Sequence, residues 1–228
     1  MSAPVGVLLD MDGLLIDSEP SWTIAETALM VHLGAVMTPE VKEMIIGTHI
    51  SQAAQTVLDF TGSGESVEWV KAFLMERMTE LFSYAIPLMP GARELLDELS
   101  ARGVPLALVS ASYRALVDAA LDDLGAHRFA VTIAGDEVTN PKPHPEAYVR
   151  AAAALGVPPA HCIVLEDSAS GVAAGEAAGC TVVAVPTFPG MVAGPRRHVV
   201  DSLVGLDADW LLSLPARSLS STTTEGTF

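Results

Sequence analysis

Two aspartates follow a short apolar segment near the N-terminus, and their spacing is the first feature that could support catalysis. Five apolar or glycine residues lead into Asp10, with Asp12 two residues later and Gly13 behind it. Residues i and i+2 of a strand face the same side, so the pattern predicts two neighbouring carboxylates at the end of a buried strand. Such charges repel unless they bind a divalent cation or share a proton. Two solvated aspartates at a polar strand end are the alternative.

More polar side chains follow strand-like segments later in the chain. Ser110 and Ser112 come after the segment LALV, and Glu166 and Asp167 come after CIVL. Between these segments, Lys142 lies in a short run with a proline on each side. Ligands of open parallel sheets gather at the carboxyl ends of the strands, so we expect these side chains to join the two aspartates in one site.

The chemistry that suits this set is phosphoryl transfer, which needs a nucleophile, cationic groups and an acid for the leaving group. Asp10 is the candidate nucleophile and would form an aspartyl-phosphate. Mg²⁺ shared by Asp10, Asp167 and a phosphate oxygen would offset the charge repulsion. Asp12 is the candidate general acid and base. Ser110 and Lys142 are candidates to contact the transferred phosphoryl group, although a solvated loop lysine is an alternative for Lys142.

The composition is that of an acidic globular protein. The 228 residues include 12 Lys and Arg against 28 Asp and Glu, giving a formal charge of −16, and this balance argues against a nucleic-acid partner. No apolar stretch reaches the roughly 18 residues of a membrane span, and the N-terminus does not have the pattern of a secretory signal. Cys162 and Cys180 are predicted to be buried thiols, which favours a cytoplasmic location.

Hydrophobic periodicity separates a helical insert from an α/β remainder. Residues 17–84 have helical patterns throughout and predict an all-helical domain. On both sides of it, short β-branched strands alternate with helices, which is typical of a parallel sheet covered by helices on both faces. We therefore predict an α/β core formed by residues 1–16 and 85–228. The Ser- and Thr-rich segment 218–228 is predicted to be a flexible tail.

Four segments together resemble the motifs of the haloacid dehalogenase-like phosphohydrolases. They are LLDMDGLLIDSEP, LALVSAS, NPKPHPEAY and IVLEDSASGVAAGEAAG, in this order, with the helical insert after the first. The likeness extends from Val5 to about Val185 and is closest to the β-phosphoglucomutase-like branch, which includes sugar-phosphate phosphatases. It implies a Rossmann-like core, a mobile helical cap, and Mg²⁺-dependent hydrolysis of small phosphate esters.

The resemblance also implies a role for individual residues. It makes Asp10 the nucleophile and Asp12 the general acid and base. The implied phosphate-binding set is Ser110, Ala111 and Lys142. The implied metal-binding set is Asp10, Asp167, the main-chain carbonyl of Asp12, and Glu166 as a ligand or as a partner of the ligands.

Four further residues are candidate substrate contacts, and each also has a plain structural interpretation. The candidates are Trp22, His49, Ser112 and Arg114. Trp22 and His49 would lie in the cap facing the cleft, or else serve packing. Ser112, like Ser110, is also placed to cap the helix that follows Tyr113. Arg114 is otherwise a surface residue of that helix.

A sugar phosphomutase is the main alternative to a phosphatase. β-Phosphoglucomutases carry a His, a Lys and an Arg that help to hold a substrate with a second phosphate, and the matching positions here are Trp22, Ile46 and Ile50. The absence of these cations favours a phosphatase. A non-catalytic module that binds a phosphorylated ligand is a third interpretation, against which both aspartates argue. The sequence sets neither the substrate nor the oligomeric state, and it is compatible with a monomer.

Overall fold

The computed structural model describes residues 5–187 and 190–220, without the side chains of residues 215–220. The chain divides into two compact units. One contains the residues up to Asp17 together with those from Pro87 onward, and the other is Ser18–Ile86.

The first unit is built on a six-stranded parallel sheet. Its strands are β1 (Gly6–Leu9), β2 (Leu106–Val109), β3 (Val131–Ile133), β4 (Cys162–Glu166), β5 (Thr181–Ala184) and β6 (Arg197–Val199). Their spatial order is β3-β2-β1-β4-β5-β6. Leu9 pairs with Leu108 on one side and Leu165 on the other, so the carboxyl ends of β1, β2 and β4 are neighbours. The polar residues that follow these three strands therefore meet at one edge of the sheet.

The helices of this unit cover both faces of the sheet. They are α5 (Ala92–Ala101), α6 (Arg114–Leu124), α7 (Glu146–Leu155), α8 (Ala169–Ala177) and α9 (Ala208–Ser220), following the four helices of the second unit. Every residue of β1, β2, β4 and β5 is buried. Alternate residues of a strand face opposite sides, so neither face of these strands is open to solvent. This confirms the predicted α/β fold, and both cysteines are buried free thiols, as predicted.

Two elements near the C-terminus were not predicted. β6 is an edge strand of half-buried residues with the sequence RHV, so it lacks the apolar run that marks the central strands. α9 contains Pro215, which usually signals a helix end rather than a helix interior. Its end at Ser220 lies inside the predicted tail, whose remaining residues 221–228 lie outside the described part of the chain.

The second unit is all-helical. It consists of α1 (Glu19–His32), α2 (Pro39–Ile45), α3 (Ile50–Thr61) and α4 (Val67–Phe82). Thr38 and Ser66 cap α2 and α4, each accepting a hydrogen bond from a main-chain N–H in the first turn. Ser18 occupies the N-cap of α1, but its side chain makes no capping hydrogen bond. The role of this unit as a mobile cap stays a prediction.

An ionic cluster joins α1 to α2 within the helical unit. The Lys42 ammonium lies 2.6 Å from Glu19 Oε1 and 2.5 Å from Glu26 Oε2. Burial raises the pKa of Glu26, and the neighbouring Lys42 opposes this shift. Among the described residues, no helix combines the length and apolar character that crossing a bilayer requires.

Candidate active site

Asp10 lies at the end of β1 and is almost completely buried. Its N–H donates to the carbonyl of Leu165 on β4, so the main chain is still held by the sheet at this residue. A tight turn follows, in which Leu15 and Ile16 both donate to the Met11 carbonyl. The strand end and the turn therefore fix the backbone that carries the first carboxylate.

The Asp12 carboxylate is bound by two serines from the end of β2. Its Oδ2 accepts hydrogen bonds from Ser110 Oγ at 3.1 Å and Ser112 Oγ at 2.9 Å. Ser110 Oγ in turn accepts from the N–H of Ser112 at 2.9 Å. The two strand ends predicted to meet are thus joined by side chains that are nearly 100 residues apart in sequence.

The interpretation of these serines as caps of α6 is wrong. α6 begins at Arg114, whose N–H donates to Asp136 Oδ1 at 2.8 Å, so the capping oxygen comes from the loop after β3. Both serine hydroxyls turn toward Asp12 instead. Ala111, between them, is exposed, and its carbonyl is closely approached by Gly135, where a Cβ would lie 2.0 Å from the oxygen.

Lys142 is buried in the site, which makes its interpretation as a solvated loop lysine wrong. Its side chain is only 5% exposed. Nζ donates to Asp10 Oδ1 and to Glu166 Oε1, each at 2.6 Å, and to the Val109 carbonyl at 2.9 Å. The preceding loop is anchored by Glu146, which accepts from the main-chain N–H groups of residues 139 and 140.

Glu166 is completely buried, and both of its carboxylate oxygens are hydrogen-bonded. Oε1 accepts from Lys142 and from the Tyr148 hydroxyl at 2.7 Å. Oε2 accepts from the N–H and the hydroxyl of Ser168, the N-cap of α8, at 3.1 and 2.9 Å. A Cβ on Gly171 would lie 1.7 Å from Oε1, so glycine in this first turn of α8 makes room for the carboxylate. The positive end of the helix dipole stabilises an anion there.

Asp167 lies against the loop that follows β1. Its Oδ2 accepts from Thr187 Oγ1 at 2.7 Å. Gly13 has a φ of +77°, and a Cβ at this position would lie 2.3 Å from the same Oδ2. Glycine is therefore required at position 13 for two reasons, the left-handed backbone conformation and the close approach of the Asp167 carboxylate.

The electrostatics of the site show an excess of negative charge. Burial raises the pKa of Asp10 well above its ordinary value, and Glu166 raises it further. Burial, and then Glu166, raise the pKa of Asp167 to about 7. Burial alone lowers the pKa of Lys142, but Asp10 and Glu166 outweigh this effect, so the lysine stays charged. One ammonium does not balance three carboxylates.

These carboxylates fit a divalent cation. Asp10, Glu166 and Asp167 each offer one oxygen, and the three oxygens lie within 4.8 Å of one another. Carboxylate oxygens are hard ligands of the kind that Mg²⁺ and Ca²⁺ prefer. A bound cation would offset the burial and the mutual repulsion that raise the pKa values of Asp10 and Asp167. The Asp12 carboxylate is not a member of this cluster.

The other candidate substrate contacts are Trp22 and His49 in the helical unit and Arg114 in the α/β unit. Trp22 is half-buried in α1, and His49 is the exposed N-cap of α3, where its Nδ1 accepts from the Ser51 N–H. The Arg114 guanidinium binds the Glu137 carboxylate through two nitrogens and thereby ties α6 to the loop after β3. The roles of Trp22, His49 and Arg114 in binding substrate stay predictions.

Three residues of the site were missed by sequence reasoning, namely Tyr148, Ser168 and Thr187. Tyr148 occupies an apolar position of α7 and looks like an ordinary core residue in the sequence. Ser168 follows the two acids directly as a helix N-cap, which was an available signal. Thr187 has no sequence signal, because its contact with Asp167 depends on the course of the chain after β5.

Comparison with known proteins agrees with this geometry. The family profile of the haloacid dehalogenase-like hydrolases matches residues 5–179. The probable pseudouridine-5'-phosphatase of Drosophila melanogaster is 34% identical over 210 residues, which cover 87% of this chain and 88% of that protein. Hexitol phosphatase B of Escherichia coli K12 is 32% identical over 225 residues, covering 93% of this chain and 100% of that protein.

A solved structure shows the same fold. The crystal structure of CbbY from Rhodobacter sphaeroides in complex with phosphate superposes with a TM-score of 0.79 at 26% identity, covering 91% of this chain and 99% of that one. The family profile spans the segments that carry the predicted motifs, which confirms the resemblance seen in the sequence. The chain is therefore an enzyme of the haloacid dehalogenase-like hydrolase family.

Proposed function

We propose that this protein is a Mg²⁺-dependent phosphatase of small phosphorylated metabolites, most specifically of sugar or polyol phosphates. The observation that carries the proposal is the buried Asp10 carboxylate, which lies 2.6 Å from the Lys142 ammonium and inside a cluster of carboxylates able to bind a cation. The relatives that carry the names hexitol phosphatase B and probable pseudouridine-5'-phosphatase support this class of substrate.

The first chemical step is assigned to Asp10 and Asp12. Asp10 Oδ attacks phosphorus, a new P–O bond forms, and the bond between phosphorus and the leaving oxygen breaks. Asp12 gives its proton to that oxygen, so the alcohol leaves neutral. In the second step Asp12 takes a proton from water as the water oxygen attacks phosphorus. The bond between phosphorus and Asp10 Oδ breaks, which regenerates the Asp10 carboxylate and releases inorganic phosphate.

Lys142 and the serine loop are assigned to the phosphoryl group. All three N–H donors of Lys142 already have acceptors among the described residues, and one of these acceptors is Asp10. Esterification makes the Asp10 oxygen a weaker acceptor, so one donor can turn to a phosphoryl oxygen. Ser110 and the main chain at Ala111 lie at the same strand end and complete the proposed phosphate site.

Asp10 and Asp167 are the proposed acidic ligands of the cation, with the main-chain carbonyl of Asp12. When bound, Mg²⁺ would offset the charge of the phosphate as it approaches a carboxylate. Glu166 is assigned to Lys142 rather than to the metal, because both of its oxygens already accept hydrogen bonds.

The helical unit is assigned the role of the cap that controls access of substrate and water. Trp22 and His49, with Ser112 and Arg114 of the core, are the proposed contacts of the leaving group. Hydrolysis is preferred to a mutase reaction because the cations that would hold a second phosphate have no counterpart at Trp22, Ile46 and Ile50.

Release of phosphate with Mg²⁺ tests the proposal on a panel of sugar, polyol and nucleotide monophosphates that includes β-glucose 1-phosphate. We expect release from one or a few compounds, loss of release in Asp10→Asn, and normal release in Asp122→Asn, which removes an exposed carboxylate of α6. Conversion of β-glucose 1-phosphate into glucose 6-phosphate without release would establish the mutase. Binding without turnover would establish the non-catalytic module.

A further inference from the structure

Tyr148 is a fully buried side chain at the base of the site, and its polar atom points to a charged partner. Its exposure is 0%, and its hydroxyl donates to Glu166 Oε1 at 2.7 Å. The Lys142 ammonium lies over the ring of Tyr148, 4.9 Å from the ring centroid. One side chain thus contacts both members of the Lys142–Glu166 ion pair.

The hydrogen bonds around Glu166 leave its orientation little freedom. A carboxylate offers about four lone-pair sites, and here each oxygen accepts from two donors. Tyr148 and Lys142 take Oε1, while the N–H and hydroxyl of Ser168 take Oε2. With these sites occupied, Glu166 is directed toward the lysine.

The orientation of Glu166 in turn sets the position of the Lys142 ammonium. An ammonium has three donors, and those of Lys142 bind Asp10, Glu166 and the Val109 carbonyl. Rotation of the Glu166 carboxylate would break one of these three hydrogen bonds. The Lys142 ammonium could then move away from Asp10.

We propose that Tyr148 is a positioning residue of the phosphoryl-transfer site, whose hydroxyl keeps Glu166 on Lys142 and so keeps the ammonium beside Asp10. Asp10 and Asp167 are then left as the carboxylates that bind the cation. This inference rests on the proposed function for its effect on turnover, but the position of Lys142 can be measured without turnover.

Tyr148→Phe is the variant that tests the proposal. It keeps the buried ring and the contact of the ring with the ammonium, and it removes only the donor to Glu166. The chain has three lysines, Lys42, Lys71 and Lys142, so the ¹⁵N resonances of the side-chain ammonium groups can be assigned by a few substitutions. We expect the Lys142 resonance of the metal-free protein to shift or broaden in Tyr148→Phe, with that of Lys42 unchanged.

Kinetics provide the second measurement. Loss of a hydrogen-bond partner that orients the ligands of a metal site typically lowers metal affinity or activity about 10- to 100-fold, and we expect an effect of similar size here. We expect kcat to fall at least about tenfold in Tyr148→Phe while KM stays within about threefold, because the lysine acts mainly on charge that develops in the transition state. In a Glu166→Gln background, Tyr148→Phe should cause little further loss, since the two residues act through one contact.

Leu155→Ala is the control for a purely structural effect. Leu155 lies at the other end of α7 and packs against the same core, so this variant loses stability without touching the network. It should leave the Lys142 resonance and kcat unchanged. An unchanged Lys142 resonance in Tyr148→Phe, or full multiplication of the two kinetic losses in the double variant, would overturn the proposal. If wild-type protein turns over no substrate, the proposed function fails and the resonance alone decides the role of Tyr148.

Discussion

Replacement of Gly13 by alanine tests two reasons for glycine at this position, the left-handed backbone and the close approach of Asp167. The backbone has φ +77°, which costs an L-residue about 1–2 kcal/mol, and the new Cβ would lie 2.3 Å from Asp167 Oδ2. An ordinary contact is about 3.4 Å or more, so the carboxylate must move by roughly 1 Å. That movement breaks or weakens the hydrogen bond from Thr187, worth about 1 kcal/mol.

The matched control is Gly156→Ala in the same unit. Gly156 has φ +69° and a Cβ there would meet nothing within 4 Å, so this variant measures the backbone cost alone. In urea denaturation of the metal-free protein we expect the free energy of unfolding to fall by about 1–2 kcal/mol in Gly156→Ala and by about 2–3 kcal/mol in Gly13→Ala.

The affinity for Mg²⁺ distinguishes the two variants more clearly than their stability does. Displacement of Asp167 should weaken the affinity for Mg²⁺ by about 10- to 100-fold in Gly13→Ala, and Gly156→Ala should bind Mg²⁺ like the wild type. Titration of Mg²⁺ by calorimetry measures both. Equal stability of the two variants together with wild-type Mg²⁺ affinity would refute the reasoning, because Gly13 would then be needed only for its backbone conformation.

Three other consequences of the charges can be measured directly. Lys142→Met should lower the free energy of unfolding of the metal-free protein by about 3–5 kcal/mol near neutral pH, because it leaves buried carboxylates without their cation. Arg102→Met, which removes a more exposed cation with two acidic partners, should lower the free energy of unfolding far less, and a similar loss in both variants would contradict the buried-charge argument. The rise in melting temperature that Mg²⁺ causes should grow between about pH 5.5 and pH 8. The cation binds ionised Asp167, whereas the metal-free folded protein takes up a proton there as the pH falls through about 7 and gains stability from it. An equal rise at both pH values would mean that protons do not compete with the metal at this carboxylate. In the helical unit, Lys42→Met should lower the free energy of unfolding by about 1–3 kcal/mol and speed amide hydrogen exchange chiefly in α1 and α2. The loss of stability should be smaller at acid pH, where Glu26 is neutral. Exchange that rises equally in the first unit would contradict this local effect.

Local patterns were sufficient to predict the fold and the outline of the site. Buried strands in a parallel sheet are short apolar runs, so β1, β2 and β4 could be located from composition and turn residues. Helix patterns throughout residues 17–84 were also sufficient to predict an all-helical unit, in which Thr38 and Ser66 are of the residue types that favour helix N-caps. Because ligands of such sheets gather at the carboxyl ends of the strands, the polar residues there were the correct candidates.

The partners of each side chain depended on contacts that no local pattern encodes. Capping of α6 by Asp136 instead of the serines could not be foreseen, since the loop after β3 reaches this helix only in the folded chain. β6 and α9 were missed because an edge strand of half-buried polar residues and a helix with an internal proline lack the usual signals.

By itself, the sequence determined which residue types stand at the ends of the strands, because a strand and the residues that follow it are continuous in the chain. Only the tertiary structure decided that the Lys142 ammonium lies 2.6 Å from Asp10, although the two residues are 132 positions apart in the chain. The same is true of the hydrogen bonds that Glu166 Oε1 accepts from Lys142 and Tyr148. The physical reason is that a buried charge needs partners in three dimensions. Those partners are set by the packing of α7 and α8 on the sheet, not by spacing along the chain.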